Sequence, residues 1–246
     1  MDEWFKDWFD ADYAALYAHR DEVEAALAVG TALEVAPGLA QGPVLDLACG
    51  AGRHLVELRK VNPQAFGLDL SPPLLNLAPH ALLGWLLRGD MRRLPIRVGC
   101  LSGICLWFTP FGYFSDAENH RLLCSLQRLL RPDGVLLLDV MNAARLKAGL
   151  VEEDVLERNG LRVRSRRSLE GNRVVKHMVI ERLDSGAVRE AVESVRIYDP
   201  RELKQMARTC GLTLQTELGD YDGSAFDAEA SFRWLGIFAK KSMADP

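Results

Sequence analysis

The chain has 246 residues, 48% apolar and 26% charged, and a chain of this size buries roughly 70–75% of its unfolded surface without staples. That composition excludes whole-chain disorder, collagen-like repeats and a disulfide scaffold. A net charge of −4 disfavours a globally cationic nucleic-acid binder, and the absence of a run of ~18 apolar residues predicts no membrane-spanning helix.

In chain order, residues 3–30 predict one or two amphipathic helices, because Trp4, Phe5, Trp8, Phe9, Tyr13, Leu16 and Tyr17 recur at helical spacing. Pro37-Gly38 and Gly42-Pro43 then mark a loop. Residues 43–48 are a short apolar run that ends at Cys49-Gly50-Ala51-Gly52, and Leu55, Leu58 and Val61 follow at helical spacing. A second strand is predicted over 65–70. Ser71 then serves as N-cap, with Pro72 at the first helical position. Further strands are expected at 82–87, 101–108 and 135–140, with a helix over 116–130 stopped by Pro132-Asp133-Gly134. Apolar strands without alternation, separated by helices, imply a parallel sheet covered on both faces.

From about 150 to 197 the pattern becomes alternating, which predicts a small antiparallel β insertion. A helix over 200–210, capped by Asp199 and Gly211, precedes two final strands at 212–218 and 232–239. The expected fold is therefore α/β: a Rossmann-like, doubly wound, seven-stranded, mostly parallel sheet with an antiparallel last strand. An N-terminal helical lid (1–42) and the insertion (150–197) would cover the crevice of a domain formed by 1–149 and 198–246. Cys49, Cys100, Cys105, Cys124 and Cys210 form no C-x-x-C pair, so free thiols and a reducing compartment are expected. With an acidic, aromatic N-terminus unlike a signal peptide, the expected location is the cytoplasm. No residues show metal-ligand spacing, so no metal is assigned.

The segment Asp46-Leu-Ala-Cys-Gly50-Ala-Gly52-Arg-His54 carries the most chemistry. A glycine-rich turn between strand and helix lets a ligand approach the backbone. The third glycine of a G-x-G-x-x-G fingerprint is absent, because Leu55 stands there. Asp46, at the end of the first strand, would repel a pyrophosphate at ~4 Å by about 1–4 kcal/mol. It would attract an ammonium group, so S-adenosylmethionine fits the site better than a dinucleotide. Asp69, at the end of the second strand, can accept both ribose hydroxyls of an adenosine. Asp90, at the end of the third, can accept from an adenine amino group.

These segments resemble class I S-adenosylmethionine-dependent methyltransferases. Residues 44–54 are similar to motif I of that family, 67–71 to motif II, 89–95 to motif III, and 129–135 to the turn before the fifth strand. Trp107-Phe-Thr-Pro-Phe-Gly-Tyr-Phe-Ser115 lacks the Asn/Asp-Pro-Pro-Tyr motif of enzymes that methylate DNA bases or protein glutamine. It resembles a bacterial small-molecule group with Phe-Gly-Tyr-Phe at this position. The resemblance implies that Asp46, Ala48, Cys49, Gly50 and Gly52 hold the methionine part of S-adenosylmethionine. It implies that Asp69 holds the ribose, that Leu70, Asp90 and Met91 surround the adenine, and that Tyr17 and Trp107 complete the cofactor site. S-adenosylhomocysteine would be the product.

The lid, the loop after the fourth strand and the C-terminal strands supply the acceptor candidates. Tyr13, Phe111, Tyr113, Asp222 and Arg233 are expected to contact substrate, and Tyr113 or His19 to act as a base if one is needed. His54 can reach the methionine carboxylate beside a helix N-terminus. The expected reaction is methyl transfer to oxygen or nitrogen of a small molecule. Arg162, Arg164 and Arg166 share one strand face, which leaves an RNA or protein methyltransferase open. Glu152, Glu153, Asp154, Glu157 and Glu170 nearby could neutralise them. A non-catalytic S-adenosylmethionine or S-adenosylhomocysteine binder is also compatible. Nothing in the sequence predicts the oligomeric state.

Overall fold

The structure is a computed structural model that describes residues 3–18 and 21–240. Its centre is a seven-stranded sheet made of β1 (Val44–Leu47), β2 (Ala65–Asp69), β3 (Leu86–Arg88), β4 (Leu101–Leu106), β5 (Leu130–Met141), β10 (Leu212–Leu218) and β11 (Arg233–Lys240). The order across it is β10-β11-β5-β4-β1-β2-β3. β11 alone runs antiparallel to both its neighbours. The other pairs are parallel. Every residue of β1 and β4 is buried, which is why these strands are apolar without alternation. The helices α4 (Arg53–Val61), α5 (Pro72–Asn76), α6 (Asp116–Leu129) and α8 (Pro200–Thr209) cover the sheet. Capping starts each of the last three, at Ser71 and Asp199 as the sequence predicts and also at Ser115. Ser71 Oγ accepts from Leu74 N, and full capping boxes join Ser115 to Glu118 and Asp199 to Glu202.

The N-terminal segment is more broken than one or two helices. It forms α1 (Phe5–Trp8), α2 (Ala11–Leu16) and α3 (Glu22–Val35), because Asp10 and Asp21 each adopt extended backbone and cap a new helix. The third strand is shorter than predicted. His80–Leu82 form a turn of 3-10 helix and Gly84 reverses the chain, so pairing begins only at Leu86. α7 (Ala143–Ala148) then leads into a four-stranded antiparallel sheet, β6 (Glu153–Arg158), β7 (Leu161–Glu170), β8 (Arg173–Arg182) and β9 (Val188–Arg196). The acid-rich β6 has no counterpart among the predicted strands.

Register explains the arginine-rich strand. β6 and β7 pair Glu157 with Arg162 and Glu153 with Arg166. The side chains close as Arg162–Glu157 at 2.6 Å, Arg162–Glu181 at 3.1 Å, Arg166–Glu153 at 2.8 Å and Arg167–Asp154 at 2.9 Å. Among the described residues no helix is long and apolar enough to cross a membrane.

The cysteine expectation needs correction. Cys124 on α6 and Cys210 at the end of α8 are joined as a disulfide, while Cys49, Cys100 and Cys105 are free. The partners are 86 residues apart in sequence. Only the packing of α6 on α8 brings them together, so spacing along the chain could not reveal the pair.

Candidate active site

The carboxyl ends of β1, β2 and β4 open into a cavity of about 290 Å³. Its floor is the turn after β1. Ala48, Gly50 and Gly52 all take positive φ, and Ala48 N and Cys49 N donate to Leu68 O at 2.8 and 3.2 Å. Gly52 is the strictest of the three: at φ +81° a β-carbon there would overlap the Leu82 side chain. Gly50 N donates to Asp69 Oδ2 and Ser71 N to Asp69 Oδ1, each at 2.8 Å. The second-strand aspartate thus shapes the first-strand turn. Burial pushes the Asp69 carboxyl up, and the amide donors of Ser71, Gly50 and Leu70 pull it back.

Asp46 lies directly behind this turn, 1% exposed. Its Oδ2 has no hydrogen-bond partner among the described residues. Burial, and then the neighbouring Asp69 charge, push its carboxyl up to about 7. Such a group calls for a cation. At the far side Asp90 is already committed, since Arg92 Nε lies 3.0 Å from both carboxylate oxygens and Arg92 Nη2 lies 2.6 Å from Oδ2. Burial raises the Asp90 carboxyl, but these bonds outweigh it and hold it below the usual range.

The roof is aromatic. Phe5, Phe9, Tyr13 and Tyr17 from the N-terminal segment meet Tyr113 and Phe114 from the loop after β4. Phe9 and Tyr13 centroids are 4.8 Å apart, Tyr13 and Tyr17 also 4.8 Å, and Phe9 stacks on Tyr113 at 5.7 Å. The four-stranded sheet clamps this roof. Asp12, with a side chain 7% exposed, pairs with Arg182 at 2.5 Å and Arg189 at 2.8 Å. Trp8 Nε1 donates to Glu193, Asn159 Nδ2 to Ala15 O at 2.7 Å, and Lys176 Nζ to the Tyr17 hydroxyl at 3.0 Å. From the opposite side Ser71 Oγ donates to Phe9 O.

The wall after β4 is Trp107 and Phe108. His54, 5% exposed, stacks on Trp107 at 4.9 Å. Neither His54 Nε2 nor Trp107 Nε1 finds a partner among the described residues. Burial, then the charges of Arg53 and Arg233, push the His54 imidazole well below its ordinary value. Phe108 and Thr109 are held at φ 65° and 63°. Asp139 holds them, accepting from Phe108 N through Oδ2 at 2.7 Å and from Thr109 N through its carbonyl at 2.9 Å. Gly112 closes the loop. Its φ of 119°, and the Arg196 carbonyl only 2.5 Å from where a β-carbon would sit, leave no room for another residue.

Of the residues singled out in the sequence, Tyr13, Tyr17, Asp46, Ala48, Cys49, Gly50, Asp69, Leu70, Asp90, Met91, Trp107 and Tyr113 line this cavity. Gly52 shapes the floor without facing it. Phe111 does not line it: the side chain is fully buried and packs on Tyr198. Arg233 and Asp222 line a separate outer groove with Glu24 and Phe232. Arg233 is drawn away by Asp139 at 3.0 Å, the Tyr221 hydroxyl at 2.8 Å and Asp220 at 3.2 Å. His19 lies outside the described residues. Sequence reasoning missed Phe5, Phe9, Phe108 and Pro110 as lining residues. The aromatic spacing of the N-terminal segment signalled burial, not what would be buried beneath it.

Residues 44–134 match the family described as a methyltransferase domain. A stretch of 124 residues is 33% identical to the dTDP-3-amino-3,4,6-trideoxy-alpha-D-glucopyranose N,N-dimethyltransferase of Streptomyces venezuelae, covering 48% of this chain and 50% of that protein. The chain spans about half the length of the curated relatives it matches. Among solved structures, the CcbJ methyltransferase from Streptomyces caelestis superimposes with a TM-score of 0.79 at 20% identity, over 98% of this chain and 100% of that one. The SAM-bound amino pentose methyltransferase CalS10 from Micromonospora echinaspora does so with a TM-score of 0.67 at 22% identity, over 94% and 97%. The Rossmann-like methyltransferase fold expected from the motifs is the fold of this chain.

Proposed function

We propose that this chain is an S-adenosylmethionine-dependent methyltransferase acting on the nitrogen of a small-molecule amine. The observation that carries the reading is the unpartnered oxygen of buried Asp46 beside the Gly50–Gly52 turn and Asp69. A carboxylate there fits the ammonium of S-adenosylmethionine and repels a pyrophosphate. Asp69 has lone pairs left for the ribose hydroxyls, and Leu70 and Met91 flank the adenine, with Asp90 presented through its Arg92 pair. Two relatives named as acting on amino sugars support a nitrogen acceptor of small size.

The cofactor supplies an activated methyl on a sulfonium. The chain's own residues then have to position the acceptor in line and exclude water. The aromatic roof does the second, and rings within about 6 Å of a cation also stabilise it. Tyr113, which stacks on Phe9 in the roof, is our candidate for orienting the amine, and His19 for taking its proton. Arg162, Arg166 and Arg167 are paired with carboxylates, which leaves exposed Arg164 as the remaining support for the RNA and protein readings on that strand.

Calorimetric titration with S-adenosylhomocysteine, S-adenosylmethionine and NADH tests the cofactor assignment, and transfer of labelled methyl to small amines tests the reaction. Asp46 gives it a pH signature. Its folded-state value of about 7 lies above the ordinary 3.8, so in the free protein this group's contribution to stability falls as pH rises from about 4 to 7. A bound ammonium favours the carboxylate and so expels the proton. Binding at pH 6.5 is expected to release protons, and affinity to rise between pH 6 and 8. Asp46→Asn should remove the proton release, weaken binding at least tenfold, and leave the free protein no less stable. Binding of NADH without S-adenosylhomocysteine would overturn the cofactor reading. Cofactor binding without transfer to any amine would leave a binding protein.

The clamp on the roof makes a second expectation. Asp12→Ala frees Arg182, which is exposed enough to be solvated, and leaves Arg189 its Asp10 pair, so the stability cost should stay near about 1 kcal/mol. The roof should open more often, raising the dissociation rate of S-adenosylhomocysteine roughly tenfold in stopped-flow displacement.

A further inference from the structure

No residue of α6 or α8 lines the cavity, and these two helices bring together three side chains that the reading above does not use. His120 and Cys124 lie four residues apart on α6 and therefore share a helix face. Cys210 ends α8. His120 Nε2 is 3.9 Å from Cys124 Sγ and 3.8 Å from Cys210 Sγ. The three candidate ligand atoms lie within 4.8 Å of one another.

We propose that, when Cys124 and Cys210 are reduced, these two thiolates and His120 Nε2 bind a thiophilic divalent cation such as Zn²⁺, and that oxidation to the disulfide releases it. The donor set is two sulfurs and one imidazole, the chemistry that selects zinc over hard cations. A tetrahedral ion with bonds of ~2.3 Å to sulfur and ~2.0 Å to nitrogen holds such ligands ~3.5–3.8 Å apart. The two sulfur–nitrogen separations, 3.9 and 3.8 Å, are a few tenths of an ångström longer than that geometry sets, within reach of side-chain rotation. The sulfurs, bonded in the present state, need only part by side-chain rotation once reduced. The Thr209 hydroxyl lies 3.1 Å from the same His120 nitrogen and gives its own proton to Met206 O at 2.7 Å. Its oxygen can therefore accept from Nε2–H, and a metal would replace that proton. The half-exposed edge of the cluster leaves a fourth position for water.

The exchange balances with a disulfide oxidant of the glutathione-disulfide class. Two metal-bound thiolates give two electrons to the oxidant, the Cys124–Cys210 bond forms, the oxidant's sulfur–sulfur bond breaks into two thiolates, and the cation leaves. Metal and disulfide are thus alternatives at one place. They staple α6 to α8 in either redox state.

The test uses the intact chain, stripped with a chelator and reduced with a phosphine, then titrated anaerobically with Co²⁺ followed by Zn²⁺. The expected result is one Co²⁺ per chain with thiolate-to-cobalt charge-transfer absorption, displaced by Zn²⁺. The same protein oxidised to the disulfide should bind none, a comparison that needs no variant to fold. Cys124→Ser and Cys210→Ser should each weaken binding at least ~100-fold, and His120→Ala roughly tenfold or more. No charge-transfer band in the reduced chain would overturn the proposal. So would a band that survives Cys124→Ser, which would place the metal on other cysteines, or an affinity unchanged by His120→Ala.

Discussion

Asp69→Ala is expected to raise the Kd for S-adenosylhomocysteine by at least ~100-fold. Two effects combine. The first is direct: a carboxylate that accepts two ribose hydroxyls makes two charge-assisted hydrogen bonds, each worth about 1.5–3 kcal/mol, and tenfold in Kd is about 1.4 kcal/mol. The second acts through the floor of the cavity. Asp69, 9% exposed, also accepts from Gly50 N and Ser71 N. Its removal leaves both amides without their partner and lets the positive-φ turn at 48–52 relax. Asp69→Asn separates the two, because an amide oxygen can still accept from one of the backbone donors. It should retain the melting temperature more closely than Asp69→Ala while still binding at least tenfold more weakly. Calorimetry and thermal melts on the same samples read both. An alanine variant that binds within threefold of the parent would remove Asp69 from the cofactor site.

The double duty of Asp69 shows what kind of information the sequence carried. The strands of the seven-stranded sheet, their order of appearance and the caps at Ser71 and Asp199 follow from local chemistry, and local chemistry is written in adjacent residues. The grouping of Asp46, Gly50, Asp69 and Asp90 around one cavity was legible for the same reason, since all sit at strand ends that a βαβ pattern already places on one edge. The roof and the wall after β4 were not. Phe111 and Tyr113 are two residues apart in one loop, yet one ring points into the core beside Tyr198 and the other into the cavity. That outcome depends on Gly112 pressing against the Arg196 carbonyl, a contact made by a strand 84 residues later in the chain. Arg233 faced the same ambiguity. Its position after the Asp222-Gly223 turn suggested the substrate pocket, but buried Asp139 is the stronger attractor. The Cys124–Cys210 pair was invisible for a related reason: nothing near either residue encodes the packing of α6 on α8.

Asp139 is the residue on which the remaining large effect is expected. It lies 1% exposed at the end of β5 and serves three donors: Phe108 N at 2.7 Å, Arg233 Nη1 at 3.0 Å and the Tyr221 hydroxyl. Burial works against the charge on Arg233, and Asp139, Tyr221 and Asp220 together outweigh it. Burial, then the Asp139 charge, raise the Tyr221 phenol well above its ordinary value, so it stays protonated and donates. Removing one member of a buried ion pair costs about 3–5 kcal/mol, because the other charge stays behind without compensation. Asp139→Ala should therefore lower the melting temperature by roughly 10 °C, at about 2–4 °C per kcal/mol for a chain of this size. Replacing the pair together, as Asp139→Leu with Arg233→Met, should recover much of that loss, since an apolar pair leaves no buried charge. It should not recover function. Phe108 and Thr109 hold a positive-φ conformation that costs of order 1–3 kcal/mol each; the Asp139 carboxylate pins the Phe108 end through its N–H, and only the backbone carbonyl bond to Thr109 N survives the substitution. Without the carboxylate the wall after β4 relaxes, and Trp107, Phe108 and Pro110 lose their places around the cavity. The double variant is thus expected to melt close to the parent yet transfer methyl groups at least tenfold more slowly. If it melts normally and also retains full activity, the strained wall is not needed for the chemistry, and Asp139 serves stability alone.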